Sequence, residues 1–205
     1  MGEAAGSRTT STREAIIAAA RELIRGHGVE GMSISQVVAH SGTSTGAIYH
    51  HFGNKEQLVL AVGKSALAAP VSMVMRTTPG ISPAGICAAA LQRVAEDEQL
   101  PKTLLQIWSG AQSNPHLAEL ISQETTLMRA AAGTFIQQWL AAAQVPGVDG
   151  EDVVSLIFGL VGGFTLQRAL GMPVDLDSYL NSAVAAVRLA THQDPAASTA
   201  PDRGI

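Results

Sequence analysis

Between Ser33 and Lys55 the chain gathers residues whose polar atoms suit binding rather than bond-making. Ser33, Ser35, Ser44 and Thr45 bring hydroxyls, Tyr49 a phenol, His50 and His51 imidazoles, and Lys55 an ammonium, while Gly46 and Ala47 leave little side chain between them. Such a set can hydrogen-bond and neutralise phosphate oxygens, and its small members can meet base edges or a thymine methyl. Catalysis is not provided for. GxSxG, P-loop, HExxH and CxxC patterns are absent, and no pair of carboxylates stands in an apolar setting. Asp97 between Glu96 and Glu98 reads as a solvated helix end, and Glu151-Asp152 suits a helix N-terminus. His50 and His51 are neighbours that would point about 100° apart on a helix and so chelate one ion poorly. The chain is therefore read as no enzyme, with no cofactor and no metal site.

The elements that would position these residues are short helices. Ser33 with Gln36 has capping-box spacing, Asn54 with Gln57 is a weaker relative, and Ser11 with Glu14 repeats it upstream. Ser44 is a candidate N-cap. Ile16, Ile17, Ala20, Leu23 and Ile24 recur at helical spacing and make one apolar face, which Gly26 and Gly28 end. Ile34, Val37 and Val38 face inward from the next helix. Ser41-Gly42-Thr43 then separates it from a very short third helix, about Ser44 to His51, whose core contribution is Ala47, Ile48 and Phe52. That is helix-turn-helix spacing, in which the second helix of the pair enters a DNA major groove.

At these residues the chain resembles the TetR-type bacterial transcriptional regulators. The resemblance rests on Ala19, Ala20 and Leu23, on Gly28 and Gly31, on Ser33-Ile34, and above all on the run from Gly42 to Leu58 with Tyr49, His50, His51, Phe52, Lys55 and Leu58. It covers the first quarter to third of the chain. Thr43 stands where an aliphatic residue is usual, Val38 and Ser41 where Ala is usual, and Ser35 where Arg is frequent. The resemblance implies an all-α protein, with an N-terminal three-helix DNA-binding domain followed by a helical ligand-binding and dimerisation domain. It also assigns contacts. Thr45 and Gly46 face base edges with Ala47 close by, and Tyr49 and His50 reach phosphates. Ser33 and Ser44 offer hydroxyls and amides to phosphate, Ser35 lies at a frequent contact position, and Lys55 clamps a phosphate at a helix N-terminus.

Charge is compatible with this. The net is −4, but residues 1–64 hold six basic and five acidic side chains against seven and twelve in the remainder. Phosphate binding would lean on helix N-termini and hydroxyls beside a few cations. At 205 residues and 46% hydrophobic, the chain can bury a sizeable core. The opening residues lack an apolar signal core, and every long apolar run is broken by Gly, Pro or charge. The expected location is cytoplasmic, with no membrane partner. Cys87, the single cysteine, sits in an apolar run and is expected as a buried reduced thiol.

Beyond residue 55 the pattern is helical throughout. A fourth helix from Lys55 towards Met75 bends or ends near Pro70, and further helices are expected at about 82–98, 101–112, 115–143, 150–170 and 175–192. The domains read as a tail at 1–10, the DNA-binding domain at 11–57, the regulatory domain at 58–192 and a tail at 193–205. Residues 153–170 are nearly all apolar, so that helix must be covered on several sides. With the family arrangement this assigns a homodimer interface to Phe158, Gly159, Gly162, Gly163, Leu166, Leu180, Val184 and Val187. A small apolar effector would meet Leu105, Trp108, Gln112, Met128, Phe135, Trp139, Phe164 and Arg168. The reading that follows is a homodimeric repressor, released from a pseudo-palindromic operator in double-stranded DNA by that effector. Two alternatives stay open: an activator or ligand-independent repressor, and a helical small-molecule carrier with a vestigial head.

Overall fold

The computed structural model describes residues 3–192, with side chains from Thr12 onward other than those of Leu67 and Pro70. Every regular element among them is helical: α1 (Glu3–Gly31), α2 (Ile34–Ser41), α3 (Thr45–Phe52), α4 (Lys55–Gly63), a π turn (Lys64–Ala68), α5 (Ala69–Thr77), α6 (Pro83–Glu96), α7 (Leu100–Ser113), α8 (Pro115–Ala142), α9 (Gly150–Ala169) and α10 (Leu176–Ala190). The chain divides into two compact units, one of residues up to 70 together with 97–125, the other of 71–96 together with 126 onward.

In the first unit, α1 supplies the longest apolar face. Ile16, Ile17, Ala20, Leu23 and Ile24 are all buried. Gly28 ends the regular part of this helix with φ 72°, a value that favours a residue lacking Cβ. Gly26 lies inside the helix and ends nothing. α1 also starts earlier than the capping pattern implies. Residues 3–10, expected as a disordered tail, continue the helix because Ala4 and Ala5 favour it and no proline interrupts it. Ser11 and Glu14 therefore lie within a helix and do not open one. The tail expected at 193–205 lies outside the described residues.

The core around α1 reaches well beyond the head. Val37, Ile48, Phe52, Leu58 and Val62 join it, and so do Ile107 from α7 and Leu117 from the first turn of α8, with Ile121 packed against them. Glycine makes the α1–α7 approach possible: a Cβ at Gly110 would come 2.7 Å from Val29 Cβ. Polar side chains hold the edges. Asn114 Nδ2 donates to Glu56 Oε1 at 3.2 Å, and Lys64 pairs with Glu124 at 2.6 Å. α4 does not end at Pro70 in a simple stop. It loosens into the π turn, where Ala69 N–H bonds Lys64 O, just ahead of a residue that has no N–H to donate.

The second unit packs α6, α9 and α10 against one another around Ile86, Leu91, Val94, Val154, Ile157, Phe164 and Val187. Tyr179 on α10 stacks on Phe164 with ring centroids 5.0 Å apart, and its hydroxyl donates to Leu160 O at 2.8 Å. α9 meets α8 through small residues: a Cβ at Gly150 would lie 2.6 Å from Gly133 O and 3.1 Å from Gln137 N. By length and composition α9 could cross a membrane, yet it carries Glu151, Asp152 and Arg168 at its ends and packs on α6 and α10. Gly159 and Leu166 on it are exposed and Phe158, Leu160 and Gly162 half-buried, so part of its apolar surface is left uncovered.

Cys87 is fully buried in this unit, as expected, and loss of hydration pushes its thiol from an ordinary 9.0 up to about 11. The folded state thus favours the protonated thiol. Its contribution to stability is fully present below pH 9 and is lost as pH rises from about 9 to about 11. Thermal unfolding across that window should show a loss on the order of 2 kcal/mol that is absent in Cys87→Ala. An identical loss in the variant would assign the effect to another group.

Candidate nucleic-acid interface

The interface begins with two helix starts. Ser33 N–H donates to Gln36 Oε1 at 2.8 Å, and Gln36 N–H donates to Ser33 Oγ at 3.3 Å, which completes the capping box. The Ser33 hydroxyl also donates to Gln36 Oε1 at 2.8 Å and lies 3.0 Å from Ser35 Oγ, so its polar capacity is largely used at home. Ser44 caps α3 by accepting Ala47 N–H at 3.1 Å. Between the two helices Gly42 takes φ 65°, and its N–H closes on Val38 O. The left-handed turn is what sets α3 across α2.

α3 has one inner and one outer side. Ile48 and Phe52 are buried, while Ser44, Thr45, Gly46, Tyr49 and His50 are exposed and Ala47 is half-buried. Tyr49 is 51% exposed, so packing against α1 does not account for it. Gly46 is the most telling of these positions. It lacks a positive φ, and an added Cβ would meet only Ser44 Oγ at an ordinary 3.8 Å. A glycine inside a helix costs up to about 1 kcal/mol relative to alanine. Nothing among the described residues requires that cost.

Lys55 opens α4 beside this face. Asn54 caps the helix by accepting Gln57 N–H at 2.8 Å, and the half-buried Lys55 reaches Glu30 O at 3.4 Å. Its ammonium therefore stands at a helix N-terminus, where an anion is favoured twice over. The exposed Ser35 and His40 complete the rim, and His40 Nδ1 lies 2.9 Å from Gln36 O. Sequence reasoning passed over Arg13. The structure sets its guanidinium 5.3 Å above the Phe52 ring, at the end of α3. The only hint in the sequence was an arginine on the polar side of the first helix.

The other expected sites are placed less uniformly. Phe158, Leu180 and Val184 are half-buried, Leu166 is 43% exposed, and Gly159 and Gly162 have open space where a Cβ would stand. Val187 is fully buried, and a Cβ at Gly163 would come 3.3 Å from Tyr179 Oη. Val187 thus serves the core of its own unit, and Gly163 lies against a side chain of the same unit. Of the expected effector contacts, Leu105, Trp108 and Gln112 lie on α7 in the first unit, with Trp108 38% exposed. Met128, Phe135, Trp139, Phe164 and Arg168 belong to the second unit. Phe164 is packed into the core there and is 1% exposed. A shallow recess lined by Val148, Asp149, Asp152, Val153 and His192 shares none of these residues.

Among the described residues, helices alone, a capped helix-turn-helix and an exposed second helix flanked by a lysine make the arrangement that the resemblance to TetR-type regulators implies. Comparison with known proteins agrees. Residues 16–62 match the family of bacterial regulatory proteins, tetR family. The HTH-type transcriptional repressor AcnR of Corynebacterium glutamicum is 39% identical over 74 residues, which are 36% of this chain and 39% of AcnR. The match thus spans about two fifths of that relative's length. The HTH-type transcriptional regulator BetI of Rhizobium meliloti is 24% identical over 177 residues, 81% of this chain and 82% of BetI. Among solved structures, Salmonella enterica GusR has a TM-score of 0.71 at 19% identity, covering 88% of this chain and 95% of GusR. NalD, the secondary repressor of the MexAB-OprM efflux pump in Pseudomonas aeruginosa, has 0.68 at 20% identity, covering 90% and 97%. The family match is confined to the head at residues 16–62, while the likeness to the solved structures extends the helical fold over most of the chain.

Proposed function

We propose that this protein is a homodimeric transcriptional repressor that binds a pseudo-palindromic operator and is released from it by a small apolar effector. Residues 11–57 form the reading head, and 58–192 carry dimerisation and effector sensing. Gly46 carries the DNA-binding part of this reading, since its cost to the helix has no return inside the molecule. Selection from a library of random double-stranded sequences at about 100 mM salt, with excess competitor DNA, tests it. A single palindromic motif is the expected product, and no enrichment would overturn the reading. Gly46→Ala should melt at the same temperature or up to about 1 kcal/mol higher, while losing affinity for the selected motif. Unchanged affinity would remove Gly46 from the interface.

Dimerisation follows from the open face of α9. Gly159, Gly162 and Leu166 lie on one outward stripe, with Phe158 beside it. A second copy packed there would bury apolar surface and let two backbones approach closely. The two-fold product would carry two recognition helices, matched to half-sites about one turn of DNA apart. Leu166→Glu should run as a monomer in analytical ultracentrifugation and bind the operator about tenfold more weakly or worse, because the second head no longer binds intramolecularly. A dimeric Leu166→Glu would move the interface elsewhere.

Effector release requires a coupling of roughly 1–3 kcal/mol between the effector site and the heads. α4 and its π turn supply the adjustable element. Lys64 is tied to Glu124, and Ser65 accepts from Arg21 Nη2 at 3.3 Å, so the turn is anchored by polar contacts that can exchange. Of the expected effector contacts, Leu105, Trp108, Gln112, Met128, Phe135, Trp139 and Arg168 remain as candidates.

A further inference from the structure

We propose that Arg13 is a phosphate anchor that continues the DNA-facing stripe of α3 past the end of that helix. This rests on the DNA-binding reading above and extends it to a residue on α1. The argument starts from spacing. Thr45, Tyr49 and Phe52 fall at i, i+4 and i+7 and so share one stripe along α3. Thr45 and Tyr49 are exposed on that stripe, but Phe52 is 8% exposed. One group over Phe52 is the Arg13 guanidinium, 5.3 Å from the ring centroid. The outward-facing surface of the stripe therefore ends in a cation donated by another helix.

Three further observations fit a phosphate ligand. Arg13 is exposed, and among the described residues no carboxylate pairs with it. Its head is held over the ring by cation–π attraction, so much of the ordering entropy of a long side chain is met before any ligand arrives. His51 meets the same ring at 6.1 Å with its plane tilted, and His50 lies edge-on to His51 at 5.4 Å, which gathers two imidazoles at the C-terminal end of α3. Lys55 marks the start of the next helix. Arg13 and Lys55 would thus both contact the backbone beyond the C-terminal end of α3 and help to set its register. An arginine fork held in place suits two oxygens of one phosphate.

Binding of mixed-sequence double-stranded DNA, measured over a range of salt for wild type, Arg13→Gln, Arg13→Lys and Lys55→Gln, tests this. Each lost phosphate contact should lower the slope of log affinity against log salt by about one per head. Arg13→Gln should show that loss, and Arg13→Lys should keep the wild-type slope. Thermal unfolding provides the second readout. If Arg13 only covers Phe52, Arg13→Gln will melt lower with an unchanged slope, and the proposal falls. If Lys55→Gln loses slope and Arg13→Gln does not, Arg13 alone is excluded and the DNA-binding reading stands. If wild type shows no salt-dependent binding, both fall together.

Discussion

Tyr49→Ala combined with Lys55→Ala should weaken binding to the selected operator about a hundredfold or more, at two contacts of roughly 1–3 kcal/mol each. Each change counts twice on a two-fold site. Tyr49 is 51% exposed and Lys55 makes one long bond to Glu30 O, so neither holds the fold. The thermal midpoint should therefore stay within about a degree or two of wild type, as surface changes usually cost under about 0.5 kcal/mol. The separation of the two effects is the point of the experiment. A protein that keeps its affinity without these side chains does not read DNA through α3 and α4. A small-molecule carrier with a vestigial head would behave in that way.

The second large effect concerns folding alone. Gly150→Ala should cost about 3 kcal/mol or more, measured by denaturant unfolding. Overpacking ordinarily costs 1–3 kcal/mol, and here the colliding atoms are backbone. The new Cβ would stand 2.6 Å from Gly133 O and 3.1 Å from Gln137 N, and neither can rotate away. Relief would require α8 and α9 to part, which would also stretch the bond from Gly150 N–H to Gln137 Oε1, now 2.9 Å. Gly159→Ala, nine residues along the same helix, meets nothing within 4 Å. It should stabilise an isolated subunit by up to about 1 kcal/mol. If Gly150→Ala proves as harmless as Gly159→Ala, the α8–α9 crossing is wider than described.

Much of the head could be read from residue order. Capping depends on side chains three residues apart, and Ser33, Ser44 and Asn54 cap as their spacing implies. The turn at Gly42 needs a residue that tolerates φ 65°. These are local rules, and they hold wherever the segment sits. The helices beyond residue 82 follow for a similar reason, since Pro101, Asn114-Pro115 and Gly171-Met172-Pro173 interrupt backbone bonding where they stand.

What local rules could not decide is which residues meet across the chain. Leu117, sixty-five positions beyond Phe52, completes the core of the head, and no periodicity within α8 announces that. Arg13 over Phe52 is likewise a contact between helices, invisible to spacing along either one. Val187 and Gly163 sat on an apolar stripe that the sequence left undivided between a subunit core and a partner. Folding buried Val187 and set Gly163 against Tyr179, and it left Gly159 and Leu166 outward. Sequence by itself determined the helix-turn-helix and its caps, because hydrogen bonds within three or four residues are blind to the rest of the molecule. Tertiary structure alone decided the faces of those helices, because burial belongs to pairs of elements that the chain brings together only when folded.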